Sequence, residues 1–342
     1  AGNPGSKRTN RLGKQAMDWS AILSNTAQGL LSPATMAFAL AALGLAMHFG
    51  FAGLLNFGIA GFMAIGAYGY AISILTFGFE WWQGILVSLV ASVLFSLILG
   101  IPTLRLRGDY LAIVTIAAAE ILRLLFLTNA FVDVTGSADG LSGYHNSFRA
   151  ANPFPEGDYG FGPWTYNNIE FWVLILGLIT LAICAFLLLL LMKSPWGRVI
   201  KGIREDEDAV RALGKNVFAY KMQALIIGGV FGSLGGIIYA LPSSVNPGVY
   251  VTSLTFFVWT ALLLGGAATV FGPVLGAVIF WVLQAFLSNV LPQLVSSGLL
   301  PFISSIQAST IRFILVGVGL MLLVIYRPQG ILGDKKELTF VK

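Results

Sequence analysis

Long apolar runs separated by polar stretches organise this chain. Each run is 18 to 24 residues long, and a membrane-spanning helix needs about 20 predominantly apolar residues. The pattern therefore predicts an all-α, polytopic membrane helix bundle of nine to ten spans. The nine runs are 30–50, 57–77, 84–104, 110–128, 169–192, 222–241, 254–271, 274–291 and 309–326.

The second apolar region is unusually dense in glycine. Residues 51–66 read FAGLLNFGIAGFMAIG and contain Gly53, Gly58, Gly61 and Gly66. In membrane proteins, irregular backbone is tolerated only where it is buried in protein or lines a cavity, and glycine-interrupted segments are typical of such breaks. We therefore expect a broken or re-entrant segment near 51–66.

The polar stretches differ in charge, and the difference predicts their side of the membrane. Stretch 193–221 has seven basic residues, whereas stretch 129–168 has one basic and four acidic residues. Cytoplasmic loops carry an excess of lysine and arginine. Stretch 193–221 and the tail 327–342 are therefore predicted to be cytoplasmic, and 129–168 extracytoplasmic. The transmembrane domain itself is predicted at 30–326.

The N-terminal segment affects the number of spans. Residues 1–16 carry four basic residues and no acidic one, so segment 1–29 is predicted to be cytoplasmic. Nine crossings would place it outside, and a tenth crossing within 15–77 is needed to bring it inside. The alternative is that these few charges are overruled and the chain crosses nine times.

Composition excludes several classes of protein. Of the 342 residues, 57% are hydrophobic and 10% are charged, against roughly 25% charged residues in a typical soluble domain. The single cysteine, Cys184, excludes a disulfide within the chain and a cysteine-rich zinc site. The only histidines are His48 and His145, so we expect no metal site. His48 lies in an apolar run and is interpreted as a packing or interfacial residue.

Motifs of the common enzyme classes are missing from the sequence. It contains no G-x-x-x-x-G-K-[ST] phosphate loop, no H-E-x-x-H and no G-x-S-x-G. We therefore expect no catalytic residue, no ATP site and no cofactor in this chain.

Two charged residues, Glu120 and Arg123, interrupt the run 110–128. Glu120 lies eleven residues after Asp109, about 16 Å along a helix, which is near the middle of a hydrocarbon core about 30 Å thick. Two unpaired charges there cost roughly 5–7 kcal/mol, and residues i and i+3 share a helix face. The two side chains are expected to pair. They either line a polar pathway or form a structural ion pair between helices.

Stretch 193–221 predicts a short amphipathic helix between two spans. Ser194 and Pro195 form a helix-start signal, and Gly214 is a natural C-terminal stop. Between them, apolar residues recur at helical spacing. The helix is either a solvated connection or a docking element for a soluble partner. Its apolar stripe consists of Val199, Ile200, Ile203, Val210 and Leu213.

Segment 208–214 resembles the E-A-A-x-x-x-G coupling motif of ABC importer permeases, with Asp208 for Glu and Val210 for the second Ala. The wider block GRVIKGIREDEDAVRALG is similar to the LivM-like permease subunits of branched-chain amino-acid ABC transporters. So are AGLLNFGIAGFMAIGAY, LRLRGDYLAIVTIAAAEILR, TGSADGL, LLGGAATVFGPVLGA and YRPQGIL. The resemblance spans nearly all of the chain after residue 30.

This resemblance implies a permease subunit of an ATP-driven importer in the cytoplasmic (inner) membrane. The implied partners are a second, homologous permease subunit, two cytoplasmic ATPase subunits that bind ATP, and an extracytoplasmic substrate-binding protein. No nucleic-acid partner is expected. The implied coupling residues are Gly197, Arg198, Ile203, Arg204, Glu205, Asp206, Asp208, Ala209 and Gly214. The implied translocation-pathway residues are Asn56, Phe57, Gly58, Glu120 and Arg123.

The cargo follows from the resemblance with less precision. Branched-chain amino acids are expected, but urea and short-chain amide permeases are similar to this chain. Ile59 stands where the family pattern leads us to expect histidine, which leaves cargo identity in doubt. An ion-coupled secondary transporter is the rival class. Such proteins usually place several carboxylates near the midplane, and we identify only Glu120 well inside a span.

The long stretch 129–168 is rich in glycine, proline, asparagine and aromatic residues. It is long for a connection without structure of its own. We interpret it either as part of a platform for the binding protein or as a lid packed on its own membrane helices.

Overall fold

The computed structural model describes residues 18–105, 108–297, 304–327 and 329–333. These residues form a helical bundle with one β-hairpin, and a π-helical turn, Ala46–Phe51, extends the second helix. The helices are α1 (Trp19–Leu30), α2 (Pro33–Leu45), α3 (Ile59–Phe77), α4 (Trp81–Thr103), α5 (Gly108–Leu127), α6 (Val132–Thr135), α7 (Asn146–Ala150), α8 (Asn168–Lys193), α9 (Pro195–Glu205), α10 (Glu207–Ala212), α11 (Val217–Ala240), α12 (Thr252–Gly265), α13 (Phe271–Ser296) and α14 (Ser305–Tyr326). The strands are β1 (Asp158–Phe161) and β2 (Trp164–Asn167).

Each of the nine apolar runs corresponds to a helix. Among the described residues, seven helices are long and apolar enough to cross a membrane. Helix α12 has 14 residues and spans only about 21 Å. The multi-pass membrane architecture is confirmed, but the count of nine to ten spans is not. The seven helices are Pro33–Phe51, Ile59–Phe77, Trp81–Thr103, Asp109–Leu127, Asn168–Lys193, Val217–Ala240 and Phe271–Ser296.

Helix α11 lies at the centre and packs on α2, α3 and α4. Its glycines allow this, because a Cβ on Gly228 would overlap the carbonyl oxygen of Gly44 on α2. A Cβ on Gly236 would overlap the carbonyl oxygen of Met63 on α3. Small residues let membrane helices approach closely where lipid provides no hydrophobic driving force.

The bundle has two distinct ends, which α8 connects. This helix has 26 residues and is about 39 Å long. Residues 128–167 precede it and form what we call the loop end. Residues 194–216 follow it, include α9 and α10, and form what we call the basic end.

The loop end is folded and packs on its own helices. Tyr144 and Phe148 are fully buried, and the hydroxyl of Tyr144 donates to the Ser243 carbonyl oxygen at 2.6 Å. Burial lowers the pKa of the neighbouring His145, whose Nε2 also contacts the Ser243 carbonyl oxygen at 3.0 Å. At the tip of the β1–β2 hairpin, Phe161 remains exposed. Much of this region is packed as the lid interpretation expects, while Phe131, Val132 and Val134 are exposed as well as Phe161, so the platform interpretation stays open.

Helix α1 lies at the loop end, beside β2. The indole of Trp164 donates to the Ala27 carbonyl oxygen at 2.8 Å, and Tyr166 bonds the Leu31 carbonyl oxygen. With 12 residues, α1 is about 18 Å long, too short to cross the hydrocarbon core. In the structure residues 18–29 lie beside the long loop, whereas the sequence analysis predicts segment 1–29 and stretch 129–168 on opposite sides of the membrane. The side on which segment 1–29 lies stays a prediction. Residues 1–17 lie outside the described residues, as does most of the tail 327–342.

Candidate functional site

The chain leaves the helical conformation between α2 and α3, at residues 52–58. Gly53 adopts a left-handed backbone with φ of 69°, and the N–H of Leu54 donates to the His48 carbonyl oxygen at 2.7 Å. The flanking helices Pro33–Phe51 and Ile59–Phe77 are each long enough to cross a membrane. Residues 52–58, which we call the break, therefore join two spans instead of interrupting one, and only the first half of the expected segment 51–66 is irregular. Gly61 and Gly66 lie within α3, where a Cβ on Gly66 would overlap the Ser233 carbonyl oxygen.

Asn56 stabilises this break through hydrogen bonds of its side chain and its backbone. Its Nδ2 donates to His48 Nδ1 at 2.9 Å, and its Oδ1 accepts from the Gly58 N–H at 2.7 Å. The backbone oxygen of Asn56 accepts from the indole of Trp259 at 3.2 Å. The other ring nitrogen of His48 donates to the Leu225 carbonyl oxygen at 3.0 Å. Asn56 is 1% exposed, and its side chain bonds within the chain; its place in the translocation pathway stays a prediction.

Phe57 lies against aromatic residues of α12. Its ring stacks on Trp259 with centroids 4.7 Å apart, and its N–H donates to Thr115 Oγ1 on α5 at 2.9 Å. The sequence analysis missed Thr115 and Trp259, because both are separated from the break by dozens of residues. The sequence marks Thr115 only as a polar residue within the apolar run 110–128, and Trp259 only as an aromatic residue within the run 254–271.

The first turn of α3 is already capped by side chains. Asn56 accepts from Gly58, and the N–H of Ala60 donates to Thr255 Oγ1 at 3.3 Å. A Cβ on Gly58 would lie 2.6 Å from the Thr115 carbonyl oxygen. A free helix N-terminus attracts anions through its unpaired N–H groups, and the groups of Gly58 and Ala60 already have partners within the chain.

Glu120 and Arg123 form the ion pair that their spacing predicts. The Arg123 Nη2 lies 2.5 Å from Glu120 Oε1, and its Nε lies 3.0 Å from both carboxylate oxygens. The Glu120 side chain is 38% exposed. The preceding residue, Ala119, contacts α3 at Gly61. The structure thus places the pair one to two turns along α5 from Thr115, near the break but not hydrogen-bonded to Asn56, Phe57 or Gly58.

The predicted amphipathic helix of the basic end is two helices, α9 and α10. Ser194 caps α9 and Pro195 occupies its first turn, as expected. The helix then breaks at Asp206, whose φ of −153° is extended and whose carboxylate accepts from the Ala209 N–H at 3.0 Å. Asp206 is therefore an N-cap, and the expectation of one stiff helix over 199–213 is wrong. Leu213 also leaves the apolar stripe, since it is 78% exposed.

The nine implied coupling residues divide into two groups. Three are internal: Ile203 is buried, Gly197 packs against the end of α8, and the Arg204 side chain is 9% exposed. The other six lie on the surface and are available to a partner. They are Arg198, Glu205, Asp206, Asp208, Ala209 and Gly214.

Arg204 connects α9 to the break. Its Nη1 donates to the Gly50 carbonyl oxygen at 2.5 Å, and its Nη2 pairs with Glu205 at 2.6 Å. A Cβ on Gly53 would lie 3.1 Å from Arg204 Cγ. Lys201 lies over the Phe51 ring, 5.9 Å from its centroid. The α9 helix is thus attached directly to the residues that enter the break.

A charged cavity of about 810 Å³ lies beside α10, between the end of α4 and the start of α11. Within it, Glu207 pairs with Arg211 at 2.7 Å and also with Lys221. Asp208 pairs with Arg211 at 2.9 Å and its side chain is 90% exposed. The charged residues that line this cavity are Arg105, Glu207, Asp208, Arg211, Lys215 and Lys221.

Comparisons with known proteins identify the family to which this chain belongs. Residues 30–325 match the family described as branched-chain amino acid transport system / permease component. The permease LivM of Salmonella typhimurium is 28% identical over 309 residues, covering 87% of this chain and 68% of its own length. The nucleoside permease NupC of Lactococcus lactis is 24% identical and covers 85% of this chain and 89% of its own length.

A solved structure of a metal-chelate type ABC transporter, in an inward-facing conformation, is 16% identical with a TM-score of 0.46. The match covers 88% of this chain and 85% of the chain in the solved structure. The family match extends over most of the chain and includes both the break and the basic end. This chain therefore belongs to the family of permease components of branched-chain amino acid transport systems, as a multi-pass protein of the inner membrane.

Proposed function

We propose that this chain moves branched-chain amino acids inward as one permease subunit of an ATP-driven importer. In this proposal a second, homologous permease subunit completes the pathway, and an extracytoplasmic binding protein delivers the cargo. Two cytoplasmic ATPase subunits bind and hydrolyse ATP, and this chain carries no cofactor of its own. The family description and the LivM relative support an amino acid as cargo.

The attachment of Arg204 to Gly50 carries the proposal. Helix α9 belongs to the charged surface that an ATPase can grip, and the same helix bonds the last turn before the break. Hydrogen bonds from a charged donor contribute about 1.5–3 kcal/mol. A push on α9 therefore reaches Gly50, and the irregular residues 52–58 provide a place where the backbone can rearrange.

The surface of α9 and α10 suits a soluble partner rather than lipid. Asp208, Glu205 and Arg211 are exposed there, and the 810 Å³ cavity beside them is lined by both charge signs. Complementary charges steer partners and fix their orientation. We assign this surface to the ATPase and the sheltered Arg204 to transmission of its movement.

Helix α5 offers a surface to the second permease subunit. Only 17% of its apolar window is buried within the chain, and Ile113, Ile121 and Leu125 are exposed. Lipid can cover such a face, but the Glu120–Arg123 pair on the same helix favours a protein neighbour or a polar pathway, because intramembrane charges face the bundle interior or water. We place the cargo pathway between this face and its partner, beside Phe57 and Gly58.

Reconstitution of the five-subunit transporter tests the proposal. Wild-type complex in proteoliposomes should import leucine only with ATP and the binding protein. Asp208→Lys should reverse the charge of the docking surface, remove ATPase from the purified complex and reduce import at least tenfold. Asp158→Lys, the same change on the exposed β1 strand, is the matched control and should leave ATPase binding unchanged. Equal ATPase recovery with both variants would contradict the docking assignment.

A further inference from the structure

A second cavity lies between α12, α13 and α14, away from both the break and the basic end. Its volume is about 290 Å³, at the small end of the range for ligand pockets. Gln284 on its wall is about midway between Phe271 and Ser296, the ends of α13, and so about 18–20 Å from each. The cavity therefore opens in the middle of the membrane-spanning region. Its lining residues include Phe257, Phe280, Trp281, Gln284, Arg312 and Phe313.

Three polar atoms on this wall have no partner. Gln284 is 6% exposed, and its Oε1 makes no hydrogen bond. The Nε1 of Trp281 and the Nε of Arg312 are likewise buried and unbonded. Leaving a buried donor or acceptor unsatisfied costs about 1–3 kcal/mol. One acceptor and two donors thus line an aromatic cavity, and they do not hydrogen-bond to one another.

Arg312 gives the cavity a positive charge. It lies in α14, seven residues after Ser305, and no ion pair joins it to a carboxylate among the residues that the structure describes. Its guanidinium carbon lies 4.7 Å from the centroid of the adjacent Phe313 ring. Ionisable residues inside the membrane are costly and mark functional sites. A carboxylate in the cavity would supply the missing counter-charge.

We propose that this cavity binds an α-amino acid with an apolar side chain. The carboxylate lies on the Arg312 guanidinium and the Trp281 N–H, since bidentate arginine–carboxylate contacts are strong and specific. The ammonium group donates to Gln284 Oε1. The apolar side chain lies among Phe257, Phe280 and Phe313. This inference rests on the proposed function, and it gives the chain an amino-acid site that is separate from the pathway proposed beside Phe57 and Gly58.

The depth and charge of the cavity separate this ligand from two others. Lipid phosphates lie outside a hydrocarbon core about 30 Å thick and do not reach the middle of α13. Urea is neutral and would leave the charge of Arg312 uncompensated. The start of α3 offers a poorer carboxylate site, because the N–H groups of Gly58 and Ala60 are bonded to Asn56 and Thr255.

Cysteine protection tests the site in the complete transporter. Ser288 lines the cavity, so Ser288→Cys, in a Cys184→Ala background, reports its occupancy through a membrane-permeant maleimide. Saturating leucine should slow labelling at least tenfold, whereas leucinamide, which lacks the carboxylate, should not. Ser296→Cys, exposed at the end of the same helix, is the matched control and should label equally with and without leucine.

Arg312 variants provide the second measurement. Arg312→Gln should raise the half-protecting leucine concentration at least tenfold, and Arg312→Lys should lie between it and the wild type. Unchanged protection by leucine in Arg312→Gln overturns the assignment. Equal protection by leucine and leucinamide also overturns it, and that measurement needs no substitution of Arg312. Loss of the second permease subunit from Arg312→Gln with protection intact would also overturn it, by making the cavity a subunit contact.

Import by the unsubstituted transporter distinguishes this inference from the proposed function. If it imports leucine with ATP while leucine leaves Ser288→Cys labelling unchanged, the cavity assignment fails and the proposed function stands. If leucine protects the cavity but is not imported, the binding site stands and the proposed function fails.

Discussion

Asn56 and His48 show how single residues hold the irregular backbone of the break. The amide of Asn56 serves His48 on one side and Gly58 on the other. His48 passes the connection on to α11 through the Leu225 carbonyl oxygen. An irregular segment inside a membrane protein persists only if its polar groups find partners. These two side chains provide them for the turn that leads into α3.

Replacing Asn56 tests this reading. Asn56→Ala leaves the Nδ1 of His48 and the N–H of Gly58 unpaired, and each buried orphan costs about 1–3 kcal/mol. We expect the free energy of unfolding to fall by about 2–4 kcal/mol, measured as a lower thermal midpoint in detergent. Asn25→Ala removes an exposed amide that bonds Asn289 at 3.3 Å and should cost far less. Equal midpoints for the two variants would contradict the role of Asn56.

At the scale of elements, α9 and α10 have different tasks because the chain bends at Asp206. Helix α9 is fixed to the bundle through Ile200 and Ile203, which are buried, and through Arg204. Helix α10 has no buried residue and presents its charges to solvent. The two-helix arrangement therefore separates attachment to the bundle, through α9, from exposure of charged residues, on α10.

Arg204 should transmit movement without binding the ATPase. Arg204→Gln removes the charged bond to Gly50, while the side chain contributes little surface, being 9% exposed. We expect normal ATPase recovery and at least a threefold drop in leucine imported per ATP hydrolysed. Arg198→Gln, an exposed arginine of the same helix, is the control for transmission and should preserve this ratio. If Arg204→Gln instead loses the ATPase, the arginine belongs to the docking surface.

The sequence predicts those features that depend on neighbouring residues. The start of α9 follows from Ser194 and Pro195, and the i, i+3 spacing pairs Glu120 with Arg123. The cap at Asp206 could not be predicted, since an aspartate within a periodic apolar pattern does not by itself reveal a cap. The local pattern allows either a polar surface residue or a helix start.

Features that depend on distant residues could not be predicted in this way. The glycines of 51–66 indicate a break, but its length is set by Thr115 and Thr255, which lie on other helices. The partners of His48 lie 8 and 177 residues away. Arg312 was overlooked within the run 309–326, although a charge in an apolar helix is the signal that directed attention to Glu120.

At the scale of the molecule, the two ends of the bundle differ in charge, and the N-terminal helix α1 lies at only one of them. Stretch 193–221 has seven basic residues at one end, and stretch 129–168 has one at the other. Helix α1 shares the loop end, held to β2 through Trp164. We propose that the basic end is cytoplasmic and that the loop end, including α1, is extracytoplasmic, which the charge of residues 1–16 alone would not predict.

Impermeant labelling of intact spheroplasts tests this arrangement, because a charged maleimide does not cross the membrane. In the Cys184→Ala background, Asp158→Cys on β1 and Ser20→Cys on α1 should both label without permeabilisation. Asp208→Cys on α10 should label only after permeabilisation, since an ATPase must reach it from the cytoplasm. All three positions are exposed, so accessibility within the bundle does not confuse the result. Labelling of Asp208→Cys from outside would overturn the coupling mechanism. Labelling of Ser20→Cys only from inside would instead restore the tenth crossing before α2. It would place α1 on the opposite side of the membrane from the hairpin and so contradict the contact between α1 and β2.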